Sequence, residues 1–299
     1  MLGVMSLEIM LPFWGDPRML YQTVASVQQQ SDPDWILTVV DDAYPDDDVA
    51  AWFAALDDER IRYVRNGTNL GIIGNFRACV QRATADHLVI LGSDDLLRSG
   101  YVAAIHRALA AHPSADIIQP GVEVIDEHGR RRLPLADRVK QRLLAPDSVH
   151  GDVLLEGEPL ATSLVKGDWL YWPSLVFRTS TIRAHDFRDD LPIALDLAIL
   201  LDIVFAGGRL VVLPEQVFAY RRHARSASQQ TVLDGRRFDD DRRFYGEVAA
   251  RAAAKGWPTT ARAARIRLMA RLHALSEAPR VLMRGTRAGR LALWRHILG

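Results

Sequence analysis

The first 120 residues alternate between short, mainly apolar runs and segments that place apolar residues at helical spacing. Strands are predicted at 7–13, 35–40, 60–64, 87–92 and 115–119, because short apolar runs are typical of strands buried between helices. The segments between them predict helices, for example one with Leu20, Val24 and Val27 on one face. This alternation predicts an α/β fold with a central, mostly parallel sheet flanked by helices.

Beyond residue 120 the pattern is less regular. Val122–Arg132 predicts a hairpin, Ser174–Phe177 a strand and Leu195–Phe205 a strongly apolar helix. The stretch Leu133–Gly167 is polar and poorly periodic, which is typical of binding loops. Residues from Asp239 onward predict a helical, arginine-rich C-terminal extension.

The formal net charge of zero hides an asymmetry. Residues 262–299 carry nine arginines, one glutamate and no lysine, so this segment has a charge of +8 and the rest of the chain −8. A basic helix with a tryptophan resembles an element that lies on a membrane surface. A helix packed on the acidic body has the same pattern, so both interpretations stay open. No pattern beyond charge points to nucleic acid.

Compartment is indicated by three features of the chain. The single cysteine, Cys79, fits a reducing compartment. The first residues lack the basic region and cleavage site of a signal peptide. No apolar run approaches the length of a transmembrane helix. We therefore expect a cytoplasmic protein, with peripheral contact at the inner face of the membrane as an option.

Two carboxylate pairs follow two of the predicted strands, Asp41-Asp42 and Asp94-Asp95. Parallel strands end at one edge of a sheet, where α/β proteins bind ligands. Paired carboxylates there suit Mg²⁺ or Mn²⁺, ions that are often shared with a diphosphate. Each pair has a plainer interpretation. Asp94 or Asp95 could cap the next helix, and the first pair could form a turn before Pro45.

Two common nucleotide-binding motifs are absent from the sequence. Strand one is followed by Pro12–Asp16 rather than by a Gly-x-Gly-x-x-Gly turn, which argues against a dinucleotide-binding Rossmann domain. The sequence also lacks a Gly-x-x-x-x-Gly-Lys-Ser/Thr loop, so a P-loop kinase or ATPase is not expected.

Four blocks of residues, in order from Glu8 to Ser228, resemble family 2 glycosyltransferases of the GT-A fold. They are Met10-Leu11-Pro12 with Leu20, Thr23, Ser26, Gln29 and Val40-Asp41-Asp42; Asn69, Gly71 and Asn75 with Leu91-Gly92-Ser93-Asp94-Asp95; Asp196 with Gly207 and Pro214; and Tyr220-Arg221-Arg222-His223 with Ser226 and Ser228. The resemblance implies an inverting enzyme that transfers a sugar from a nucleotide-diphospho-sugar.

The resemblance also implies roles for individual residues. Asp95 and His223 would hold Mg²⁺ or Mn²⁺, and Asp196 would be the general base. Eight residues would contact the donor nucleotide: Pro12, Phe13, Asp41, Asp42, Asn69, Asn75, Ser93 and Asp94. In the acceptor region, Trp169 and Trp172 are candidates to pack on a sugar ring, and core packing is the plainer interpretation of each.

Two positions depart from the family pattern. Gly92 and Leu195 stand where many relatives have an acid, which bears on metal dependence and on the base. Asp196 has apolar neighbours on both sides, a setting that raises the pKa of a carboxyl and suits a base. A helix cap after Pro192 is the alternative for Asp196. Asp202 is the second candidate base, on another face of the same helix.

The predicted organisation is a GT-A catalytic domain over residues 1–230, with nucleotide-sugar binding in 1–120 and the acceptor side in 121–230. Residues 231–299 form the helical, basic extension. The expected partners are a nucleotide-diphospho-sugar donor and a saccharide, lipid-linked or small-molecule acceptor. Two other functions stay open: a catalytically silent nucleotide-sugar-binding module, which Gly92 and Leu195 favour, and a nucleotidyltransferase.

Overall fold

Nine strands form a single sheet in the computed structural model of the chain. The model describes residues 7–132, 134, 137–138, 141, 144–148, 150–191, 194–222 and 232–299. The strands are β1 (Leu7–Phe13), β2 (Trp35–Asp41), β3 (Ile61–Arg65), β4 (His87–Ile90), β5 (Leu96–Leu97), β6 (Ile117–Ile125), β7 (Val153–Leu155), β8 (Val176–Arg178) and β9 (Leu210–Arg221). Their order in the sheet is β3-β2-β1-β4-β8-β6-β9-β5, with β7 also paired to β9.

The amino-terminal half of the sheet is parallel. β2 pairs with β1 and β3, and β1 pairs with β4, all in parallel. In this register Asp41 lies opposite Phe13 on one side and Arg65 on the other. The carboxyl ends of these strands therefore meet at one edge, which confirms the predicted parallel sheet. The antiparallel pairs, which involve β5, β7 and β8, are short.

Helices cover both faces of the sheet. They are α1 (Pro17–Gln28), α2 (Asp48–Ala54), α3 (Gly71–Arg82), α4 (Tyr101–Ala111), α5 (Gly157–Lys166), α6 (Thr179–Arg183), α7 (Leu195–Phe205), α8 (Arg236–Ala254), α9 (Pro258–Ile266), α10 (Leu268–Arg284) and α11 (Arg287–Leu298). Helix α1 begins as its sequence predicts, because Asp16 caps it by accepting a hydrogen bond from Arg18 N, and proline occupies its first turn.

The apolar side chains fall into two large clusters, one on each face of the sheet. Helices α1, α2 and α4 pack on one face, against alternate residues of β1 such as Ile9 and Leu11. Helices α3, α5 and α7 pack on the other face, where Met10 points. The period of two along β1 thus decides which helix each side chain meets.

Strands β6 and β9 form a long parallel pair in the second half of the chain, with an irregularity around Gly121. A side-chain carbon at Gly121 would lie 2.7 Å from the carbonyl oxygen of Glu215, so only glycine allows this approach. The predicted hairpin follows β6, where Asp126 N donates to the carbonyl of Arg130 and Arg132 N to that of Val124.

The C-terminal extension has two parts. Helices α8 and α9 join the apolar cluster of α3, α5 and α7 through residues such as Phe244, Val248 and Ala264. Helices α10 and α11 instead form a small cluster of their own with Phe238. None of the helices in the described parts of the chain is both long and apolar enough to cross a membrane.

Candidate functional site

A cavity of about 570 Å³ opens at the carboxyl edge of the parallel strands. It collects residues that lie far apart in the sequence, from the ends of β1, β2 and β4 and from the start of α3. Its lining consists of Pro12, Trp14, Asp42, Asn69, Gly71, Ile72, Asn75, Phe76, Gly92, Ser93 and Asp94. Six of the eight residues expected to contact the donor nucleotide are therefore brought together.

Asp42 organises the loop before α3. Its Oδ1 accepts hydrogen bonds from Asn66 Nδ2 at 3.0 Å and Leu70 N at 2.8 Å, and its Oδ2 accepts one from Gly71 N at 2.9 Å. Gly71 has φ +72°, in the region that favours glycine, so its amide can turn toward the carboxylate. The buried Asp42 charge is thus matched by donors of the protein itself.

Asp41 is held in a different way, and it lies behind the cavity rather than in its lining. Its carboxylate accepts hydrogen bonds from Tyr44 N at 2.7 Å and from the Tyr63 hydroxyl. Ala43 has φ +57°, which is uncommon for a residue with a side chain and marks a sharp turn after the pair. The predicted turn before Pro45 thus exists, and it coexists with a site at Asp42.

Asn75 and Asn69 have structural partners as well as a place in the lining. Asn75 Nδ2 donates to the Val40 carbonyl at 3.0 Å, and its Oδ1 accepts from Asn66 Nδ2 at 3.0 Å. Asn69 Oδ1 accepts from Gly71 N at 3.0 Å. These bonds fix the wall of the cavity that faces Asp42.

Asp95 occupies a different environment from Asp42. Its carboxyl is fully buried, and among the described residues its hydrogen-bond donor is Arg221 N, at 2.7 Å from Oδ1. Burial, and then the neighbouring Asp94, raise the pKa of Asp95 well above its usual range. The helix-cap interpretation of this pair is wrong, because α4 begins at Tyr101 with Gly100 at the cap position.

Two residues of the first sequence block, on α1, hold the loop that carries Asp94 and Asp95. Thr23 Oγ1 donates to the carbonyl oxygen of Asp95 at 2.8 Å and lies 3.1 Å from that of Ser93. Ser26 Oγ accepts from Leu97 N at 3.1 Å. Side chains of α1 therefore hold the loop that carries Asp94 and Asp95, a role that the sequence pattern alone did not reveal.

Gly92 makes room for the Asp95 carboxylate. A side-chain carbon at position 92 would lie 2.5 Å from Asp95 Oδ2 and 3.2 Å from Asp94 Oδ1. The space that an acid would need at position 92 is thus filled by the two acids that follow. Glycine at position 92, where many relatives have an acid, lets the Asp95 carboxylate lie close to the backbone.

The last residue of β9, Arg221, contacts the same loop. Arg221 Nε donates to the Asp94 carbonyl at 2.6 Å, and its NH2 group donates to Gln22 Oε1 at 3.0 Å. Burial and the Asp95 carboxylate raise the pKa of Tyr220 to about 12. The fold thus brings Arg221, from the fourth sequence block, into contact with Asp94 and Asp95, from the second. His223, also of the fourth block, lies outside the described residues.

Asp94 and Asp95 offer hard oxygen ligands for a divalent cation. The described residues contain no group of three or more His, Cys, Asp or Glu side chains arranged to hold a metal. Asp94 and Asp95 do meet beside Gly92, and a buried carboxyl with a raised pKa is stabilised in its charged form by a nearby cation. These two residues therefore fit Mg²⁺ or Mn²⁺ as part of a ligand set.

The two candidate bases differ in their surroundings. Asp196 is half-buried in the first turn of α7 and accepts from its neighbour Leu197 N at 2.9 Å. The cap position belongs to Ala194, so the helix-cap interpretation of Asp196 is wrong. Asp202, on the same helix, forms an ion pair with Arg251. Asp196 is not among the residues that line the cavity.

The acceptor candidates are separated by the fold. Trp169 is buried, donates from Nε1 to Ser163 Oγ at 2.9 Å, and lines a second cavity of about 290 Å³. Trp172 packs among Phe76, Phe177 and Phe187. Trp172 lines neither of these two cavities, but its neighbour Phe76 lines the first one.

Three apolar residues of the first cavity were missed by sequence reasoning. Trp14 and Ile72 are exposed by 60% and 69%, and Phe76 is half-buried beside them. Phe13, which was predicted, is instead fully buried with its ring 5.0 Å from that of Tyr44. The tryptophan directly after a strand end was the available signal, because such a side chain often remains open to a ligand.

Comparison with known proteins finds a family match in the first half of the chain. The model of glycosyl transferase family 2 matches residues 8–152. EpsE of Bacillus subtilis, a protein named as a candidate glycosyltransferase, is 27% identical over 126 residues, which are 42% of this chain and 45% of EpsE. The uncharacterised protein y4gI of Sinorhizobium fredii is 28% identical over 128 residues, which are 42% of this chain and 14% of y4gI. The matches thus span less than half of each relative.

Solved structures of TarS from S. aureus share the fold. TarS 1–349 superposes with a TM-score of 0.66 at 13% identity, covering 98% of this chain and 81% of that one. Its complex with UDP-GlcNAc superposes with a TM-score of 0.63 at 14% identity, covering 82% and 66%. Residues 8–152 are thus similar to glycosyl transferase family 2, and the chain has the GT-A fold.

Proposed function

We propose that the protein transfers a sugar from a nucleotide-diphospho-sugar to an acceptor hydroxyl, with inversion at the anomeric carbon. The observation that carries this proposal is the cavity at the carboxyl edge of the sheet, where Asp42, Asn69 and Asn75 face Ser93 and Asp94. The family match supports the reaction class. TarS has been solved with UDP and with UDP-GlcNAc, which supports a nucleotide-sugar donor for this chain.

In this proposal the donor nucleotide lies between the end of β1 and the start of α3. Pro12 and Trp14 provide apolar surface on one side of the cavity, and Ile72 provides it on the other. Such surfaces suit the faces of a nucleobase, while Asn69 supplies polar contacts. Asp42 already accepts hydrogen bonds from three donors of the protein, so we assign it chiefly to shaping the loop.

A divalent cation, Mg²⁺ or Mn²⁺, would be held by Asp95 and Asp94, with His223 as a further ligand. Its chemistry would be to neutralise charge on the diphosphate that leaves. Asp95 is suited to this role because its carboxyl is buried beside another acid and is stabilised as an anion by a positive partner.

We assign Asp196 as the general base. The acceptor oxygen would attack the anomeric carbon as the bond from that carbon to the diphosphate oxygen breaks. The hydroxyl proton would pass to the Asp196 carboxylate, and the nucleoside diphosphate would leave with the bonding electron pair. A single displacement of this kind inverts the configuration. Most of the other side chains of α7 are apolar and buried.

The acceptor would bind on the side of residues 121–230, where Trp169 lines the second cavity with Tyr171 and three glutamines. Among the residues that the structure describes, this lining contains no charged side chain, which suits a neutral sugar ring. A saccharide, a lipid-linked sugar and a small molecule are the acceptor classes we propose, with a hexose or deoxyhexose as the transferred group. A lipid-linked acceptor would give a role to membrane contact by residues 231–299 on the cytoplasmic side.

Calorimetric titration tests the donor site. We expect at least one of UDP, GDP and dTDP to bind, and Mn²⁺ to tighten that binding. Absence of binding by all three nucleotides would overturn the donor-site proposal. Binding that is indifferent to metal would leave the donor site in place and remove the cation from it.

The variant Asp196→Asn tests the base and separates the enzyme from the silent binding module. We expect nucleotide binding to be unchanged and transfer to fall by about 100-fold or more, since a positioned base contributes on the order of 10²–10⁴. Asp202→Asn is the matched control on the same helix, and its transfer rate should stay near that of the wild type. An active Asp196→Asn enzyme would remove Asp196 as base, and a wild type without hydrolysis or transfer on any sugar nucleotide would favour the silent module.

A further inference from the structure

Helices α10 and α11 each have two apolar faces, one buried and one exposed. The buried faces form the small cluster with Phe238, through Ala274 and Val281 of α10 and Ala292 and Leu293 of α11. A surface helix needs one apolar face to pack on its protein. The second apolar face of each helix is therefore not explained by the fold.

The exposed face of α10 is a continuous stripe. Leu268, Leu272 and Leu275 are spaced by four and three residues, so they lie on one side of the helix. Their exposed fractions are 59%, 48% and 48%. Leu282 and Met283 follow two turns later and are also exposed.

The exposed face of α11 has the same character. Leu291, Trp294 and Leu298 are spaced by three and four residues and are exposed by 50%, 45% and 77%. The tryptophan has an apolar body and a polar indole N–H, a combination favoured at the boundary between water and lipid. These residues and the α10 stripe are together called the apolar stripes below.

The helices from α9 to α11 also carry arginines that form no ion pair with the described residues. Six of them are exposed: Arg262, Arg265, Arg284, Arg287, Arg290 and Arg295. None of the six forms an ion pair with any residue that the structure describes. Several other arginines are matched by acids, as Arg77 is by Asp186 and Asp189. From residue 262 onward the single acid is Glu277, which pairs with Arg280.

We propose that the apolar stripes and the six arginines form a docking surface for an anionic phospholipid membrane. The leucines and Trp294 would enter the boundary between headgroups and acyl chains, and the guanidinium groups would contact lipid phosphates. Charge complementarity selects this occupant. A second copy of the chain would set one strongly basic surface against another, and like charges that face each other repel.

Vesicle sedimentation of the full chain tests the docking surface. We expect binding to vesicles of phosphatidylcholine with phosphatidylglycerol, weaker binding to phosphatidylcholine alone, and release by added salt. The variant Leu272→Glu/Leu275→Glu should weaken binding at least about tenfold, because it places charge in the apolar stripe. Leu154→Glu, at a leucine 46% exposed on β7, is the matched control and should bind as the wild type does.

A second variant separates the charge from the apolar contribution. Arg287→Glu/Arg290→Glu should lose the preference for phosphatidylglycerol while circular dichroism and nucleotide binding stay unchanged. Equal binding of all variants, or equal binding to both kinds of vesicle, would overturn the proposal. A dimer in sedimentation velocity that Leu272→Glu/Leu275→Glu dissociates, with no vesicle binding, would also overturn it. Calorimetry with nucleotides on the same variants keeps failure of the docking surface distinct from failure of the donor site.

Discussion

The two carboxylate pairs at the sheet edge have the same sequence but opposite surroundings. Asp41 and Asp42 receive hydrogen bonds from five donors: Tyr44 N, the Tyr63 hydroxyl, Asn66 Nδ2, Leu70 N and Gly71 N. The Asp95 carboxylate receives one from the described residues, from Arg221 N, and lies beside another acid. The first pair is thus completed by donors of the protein, whereas Asp95 of the second pair is suited to a positive partner.

This difference shows that a motif of two acids does not define one role. An Asp-Asp pair that ends a strand can neutralise itself by folding the next loop around it, as Asp42 does before α3. The same pair can be kept short of donors, as Asp95 is, so that its charge depends on something that binds. Three predictions test this comparison, in order of decreasing effect.

Asp95→Asn should have the largest effect. The amide keeps an oxygen that can accept from Arg221 N, but it removes the charge that would complement a cation. We expect transfer to fall by about 100-fold or more, by analogy with the loss of one electrostatic contact at a reacting group. Added Mn²⁺ should raise the melting temperature of the wild type and not of the variant. Asp57→Asn, at an exposed acid far from the sheet edge, is the control. A fully active Asp95→Asn enzyme would place the metal elsewhere.

Asp42→Asn should act on stability rather than on metal response. The asparagine amide has N–H groups where the carboxylate has an oxygen. These N–H groups would face a donor that now bonds to Asp42, such as Gly71 N. We expect the free energy of unfolding to fall by about 2 kcal/mol, since hydrogen bonds to charged groups contribute about 1.5–3 kcal/mol. Denaturant titration measures this loss, and the shift in melting temperature with Mn²⁺ should persist. If stability were unchanged while the response to Mn²⁺ vanished, the roles of the two pairs would be reversed.

The pH dependence of stability should show the smallest effect. Burial raises the pKa of Asp95 in the folded state, so the folded protein binds more protons than the unfolded chain between the two pKa values. Without metal, stability should therefore fall as pH rises through this window, by at most about 1.4 kcal/mol per pH unit. Asp95→Asn should flatten this slope. Thermal unfolding at several pH values with a chelator measures it, and equal slopes in both proteins would contradict the assignment.

Periodic and short-range signals predicted the framework well. The α1 cap at Asp16 and the span of α7 over 195–205 follow from the sequence. They were predictable because caps and apolar periodicity act between neighbours in the chain. The first two sequence blocks lie within residues 8–152, which match the model of glycosyl transferase family 2.

Contacts between distant residues could not be predicted in the same way. Thr23 donates to the carbonyl of Asp95 across 72 positions of the chain, and Arg221 reaches Asp94 and Asp95 from β9. The role of Gly92 depends on where the Asp95 carboxylate turns. Sequence periodicity carries no information on such approaches, because they depend on how the strands and helices stack.

The sequence by itself determined the alternation of strands and helices, the two acid pairs at strand ends and the basic charge of the last residues. The tertiary structure decided which acids are satisfied, and it placed Trp14 and Ile72 in the cavity and Phe13 in the core. It also decided which face of α10 packs and which stays exposed. The physical reason is that local spacing fixes the faces of an element, while only packing selects the neighbours that each face meets.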